Sequence, residues 1–100
     1  MRMERQVARE IACDAMNHHT DEPLAPTAED EVRDISKTLK RIAQDDQDHN
    51  THEIDDIINT IVEDAKQDGF TVTIGPSQLM KCQTLGSLVV RIRNSSDDGK

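Results

Sequence analysis

Apolar residues fall into three helical stripes, and the pattern then switches to alternation. Over residues 3–16, Val7, Ala8, Ile11, Ala12 and Ala15 recur at helical spacing and share one face. That stripe is narrow and Ala-rich, so the helix is expected to pack closely and to bury little by itself. Pro23 and Pro26 exclude regular helix over residues 20–26, which read as an exposed loop with Leu24 as its anchor. Thr27 is a suitable cap residue. Beyond it Val32, Ile35, Leu39 and Ile42 predict a second helix that ends near Gln44. Residues 45–50 are polar throughout and read as a connector. Ile54, Ile57, Ile58, Ile61, Val62 and Ala65 form a wide stripe that predicts a third, central helix. Asn50, Thr51, His52 and Glu53 suit its start, and Gly69 suits its left-handed end.

After Gly69 the period becomes two. Phe70, Val72 and Ile74 alternate with Thr71 and Thr73, which predicts a half-buried strand. Gly75, Pro76 and Ser77 break it. Residues 78–86 fit a short strand, a helical turn or a loop equally. Leu88, Val90 and Ile92 alternate with Val89, Arg91 and Arg93, which predicts a second strand. Strands joined without a crossover helix pair antiparallel by default. The expected class is therefore α+β, a single small domain of three helices followed by a β-hairpin or small antiparallel sheet. A flexible tail is expected over residues 94–100.

Composition narrows the core. There is one aromatic residue, Phe70, so Ile, Leu, Val and Met must fill the interior. Such a core is modest for 100 residues. Self-association as a homodimer would relieve it, and Val89 on the edge of the terminal strand is the candidate contact. No apolar run approaches the ~18 residues of a membrane span. Cys13 and Cys82 lie far apart with no secretory pattern before them, so the chain reads as cytoplasmic with both thiols reduced.

Charge changes the picture most. The net charge is −8, and it is unevenly spread. Residues 1–19 are net neutral, residues 20–68 carry −10 and residues 69–100 carry +2. Asp45, Asp46, Asp48, Glu53, Asp55, Asp56, Glu63 and Asp64 concentrate the excess on the second connector and the third helix. Clustered charge of one sign steers association with an oppositely charged partner. The expectation is a non-enzymatic protein-binding module that docks on a basic surface of a larger protein, such as one that binds nucleic acid, as an inhibitor or regulator.

Candidate chemistry is sparse. His18 with His19 and His49 with His52 form two local pairs, but neither pair has the four ligands of a closed zinc site. Adjacent carboxylates such as Asp55 and Asp56 splay around a helix instead of converging on a substrate. The four glycines are dispersed and form no phosphate-binding loop. No catalytic group, metal or cofactor is therefore expected. Three helices followed by a hairpin is also the element order of winged-helix DNA-binding regulators. Arg33, Lys37, Lys40 and Arg41, with Arg91 and Arg93 on the last strand, would serve that alternative. The third helix opposes it, because its acids repel phosphate.

Overall fold

A computed structural model describes residues 2–98. Helix α1 spans Arg5–Asn17, α2 Ser36–His49, α3 Glu53–Gln67, α4 Pro76–Met80 and α5 Leu85–Asn94. A 3₁₀ turn covers Glu29–Val32, and strands β1 (Phe70–Val72) and β2 (Ser96–Asp98) form one antiparallel pair. The class is α+β, with helices followed by a small antiparallel sheet, as the sequence predicts. The second strand, however, lies at Ser96–Asp98, and α4 and α5 stand between the two strands.

Residues 88–92 are helical because their buried set follows the helical period. Leu85, Leu88, Val89 and Ile92 are all fully buried, whereas Val90 is 40% exposed. Alternation would have put Val89 outside and Val90 inside. Thr84 starts the helix by accepting a hydrogen bond from the backbone N–H of Ser87 at 3.2 Å. Val89 is thus core, and it offers no strand edge for self-association. Within residues 94–100, Asn94 closes α5 and Ser96–Asp98 pair with β1. Residues 99 and 100 of the expected flexible tail lie outside the described residues.

The second helix begins later than its apolar spacing predicts. Val32 fits the stripe but is 79% exposed. After the 3₁₀ turn the chain extends, and Asp34 bridges to Thr84. Leu85 N–H donates to the Arg33 carbonyl at 3.0 Å and Ile35 N–H to the Gln83 carbonyl at 2.9 Å. The Asp34 carboxylate then accepts from the Ser36 hydroxyl at 2.9 Å and the Lys37 N–H at 3.2 Å, which starts α2. This helix continues through most of the expected connector and stops at Asn50, whose φ of 53° is left-handed.

Helix α1 is more central than its alanines suggest. Ala8, Ile11, Ala12, Cys13, Ala15 and Met16 are buried, and at ~100° per residue they span about 200° of its circumference. It packs against both α3 and α5, which make little contact with each other. Small side chains let both neighbours approach closely. The molecule measures 41 × 29 × 19 Å, with one hydrophobic core running from Met3 to Ile92.

Candidate interaction surface

The eight acids singled out above occupy four different settings. Asp46 is structural. Its carboxylate accepts from the backbone N–H groups of Glu53 at 2.9 Å and Ile54 at 3.0 Å, and from the Thr51 hydroxyl at 2.7 Å. It therefore caps α3 from the last turns of α2, a role the sequence assigned to Asn50 and Thr51. Partial burial opposes its charge, but these donors win and hold Asp46 below its ordinary pKa.

Two further acids turn toward α1 or the residues just after it. Glu53 is half-buried, and its Oε1 lies 3.1 Å from Nδ1 of His19. Asp64 is half-buried beside Asp14. Burial pushes its pKa up, and Asp14 adds to this by hydrogen bonding and repulsion. Asp68 contributes in the same direction, His18 opposes it, and the result is a carboxyl near 6. Asp45 and Asp48 remain on α2, where Asp45 sits 3.6 Å from Arg41 and Asp48 accepts from Gln44 at 2.9 Å.

Asp55, Asp56 and Glu63 are the acids that share an open face. They are exposed on the side of α3 opposite Ile54, Ile57, Ile61 and Ala65. Asp55 lies 3.8 Å from His52, and Glu63 lies 3.9 Å from Lys66. Both contacts are long and solvent-exposed, so they neutralise little. The Asp56 carboxylate is exposed and has no hydrogen-bonding or ionic partner among the described residues.

One ionic cluster had no local signature in the sequence. Glu31, in the 3₁₀ turn, is clasped by Arg5 (2.5 Å) and by Arg9, both from α1. Hydrogen bonding to Arg5 dominates, Arg9 reinforces it against burial, and Glu31 falls to about 2. No neighbouring residue marks Glu31, because its partners lie 26 and 22 residues away. A second cluster orders the loop before it. Asn17 exchanges hydrogen bonds with the backbone of Leu24 at 2.8 and 3.0 Å, and Arg33 donates to the Pro23 carbonyl at 2.9 Å.

Other chemistry is poorly supplied. Burial pushes Cys13 up to about 11 and also raises Cys82, so both thiols stay protonated at neutral pH. No group of three or more His, Cys, Asp or Glu side chains is arranged to hold a metal among the described residues. The cleft between residues 20–24 and α2 has Arg33, Lys37 and Arg41 balanced by Asp21, Glu22 and Asp34, so it has no net sign. Arg91 and Arg93 sit on α5 rather than on the expected strand. No described helix is long and apolar enough to cross a membrane. Comparison with known proteins finds no matching family model, no matching curated protein and no matching solved structure.

Proposed function

We propose that this protein is a non-enzymatic binding module that docks on a basic surface of a larger protein, as an inhibitor or regulator, through the outer face of α3. The supporting observation is the exposed set of Asp55, Asp56 and Glu63, approached among the described residues only by His52, 3.8 Å from Asp55, and Lys66, 3.9 Å from Glu63. A helix holds the backbone of such a set rigidly, so docking costs little backbone freedom. Basic partners that bind nucleic acid offer the matching charge. Two separate, buried thiols suit a reducing compartment such as the cytoplasm.

The test is retention of host proteins on the immobilised protein, compared with a D55K/D56K variant. Proteins retained by the wild type at low salt should be released by salt, and the variant should hold them about tenfold more weakly or worse. Retention that ignores the double reversal would remove the proposal.

A further inference from the structure

The acidic face of α3 has a counterpart on the opposite flank of the molecule. Helix α5 contains no acidic residue. Its outer side forms a surface groove of about 650 Å³, lined by Arg5, Ser87, Val90, Arg91 and Asn94 and by no carboxylate. The neighbouring Glu31 is already shared by two guanidinium groups, Arg5 and Arg9, so that cluster keeps a positive excess. Arg91 has no carboxylate partner among the described residues.

Apolar exposure points to the same flank. Val90 (40%) and Val32 (79%) are the large apolar side chains left exposed among the described residues. Val90 lies in the groove, and Val32 ends the 3₁₀ turn that packs against α5. Within the groove Val90 offers a small apolar contact surrounded by polar and positive groups, the arrangement of an interface centre with a polar rim. Helix α3 can meet it in kind, because Ile58 and Val62 are half-buried along the edge of its acidic face.

Helix α1 lies between these two flanks, so they cannot reach each other within one molecule. They can meet between molecules. Resting on the docking role of α3 given above, we propose that the chain is its own basic partner: α3 of one copy seats on the α5 groove of the next. The two surfaces differ, so the contact is heterologous and propagates head to tail.

Sedimentation velocity on the intact chain tests this. The wild type should form species larger than a dimer in about 20 mM salt and revert to monomer in about 500 mM, where charges are screened within a few ångströms. Val90→Glu blocks the groove and leaves α3 intact, whereas D55K/D56K does the reverse. Each variant alone should be monomeric at low salt, and an equimolar mixture should stop at a dimer, because each molecule then has one working face. Ser87→Glu, also exposed, replaces V90E if circular dichroism shows that V90E is unfolded. A wild type that stays monomeric at low salt overturns the proposal, as does a mixture of folded variants that does not dimerise. Either result leaves the docking role standing if D55K/D56K still loses the retained host proteins.

Discussion

Glu31 joins segments that lie far apart in the chain. It ties the 3₁₀ turn to α1 through Arg5 and Arg9, and its backbone and side chain abut Gly86 of α5. Replacing it with Gln should destabilise the protein by ~1–2 kcal/mol, measured as a shift in urea midpoint. Gly86 tests the same junction from the other side. Alanine would normally favour a helix interior by ~1 kcal/mol over glycine. Here a Cβ would lie 3.1 Å from the Glu31 carbonyl oxygen and 3.2 Å from its carboxylate, which the arginines pin. Gly86→Ala should therefore lower Tm, and a higher Tm would show that the turn yields freely. Acid titration separates Glu31 from Asp64. The folded pKa of Glu31 is depressed, so its contribution is complete above 4.5 and disappears as pH falls toward 2. That of Asp64 is raised, so its ionised form weakens the fold above about 6, and this penalty fades as pH falls toward 3.8. Stability should thus rise from pH 7.5 to about 5 and fall again below 4.5. Asp64→Asn should flatten the upper limb alone. Urea midpoints at three pH values would show this, and an unchanged upper limb in the variant would rule out Asp64 as its cause.

Among the elements, α1, α3 and β1 were legible because each apolar set fits one period only. Helix α5 was not, since apolar residues at 88, 89, 90 and 92 satisfy either period. Its cap and the burial of Leu85 and Val89 decide the matter, and burial is a tertiary property. Removing the cap with Thr84→Ala should cost ~1 kcal/mol. Leu88→Ala, which empties a fully buried site, should cost ~2–5 kcal/mol in chemical denaturation. A small effect at Leu88 would contradict the packing of α5. The start of α2 was misread for the opposite reason. Val32 extends a good stripe, yet the pairing of residues 33–35 with 83–85 pulls the chain out of helix just beyond it. The candidate surface was legible as a charge excess but not as a geometry. Of eight acids only Asp55, Asp56 and Glu63 share the outer face of α3, because Asp45 and Asp48 lie on α2, Asp46 is taken by capping, Glu53 meets His19 and Asp64 faces Asp14 of α1.

Considered whole, the molecule exposes 5858 Å², close to the roughly 5,700 Å² expected of a folded monomer of this length. Its core is thus closed without a partner, and association through α3 and α5 adds a contact that folding does not require. The fold should therefore persist at dilutions, or in salt, where the chain is monomeric, and association should add stability only where it is populated. The layout of the layer has a further consequence for how it comes into being. Helix α1 leaves the ribosome before α5, yet α5 forms one of its walls. Arg93 even donates to the Met3 carbonyl at 2.8 Å. Until residues beyond 84 have left the exit tunnel, α1 lacks one of its walls. These elements should then fold in one cooperative step only once α5 has emerged, and a nascent chain stalled before Leu85 should be cut by protease throughout residues 5–84.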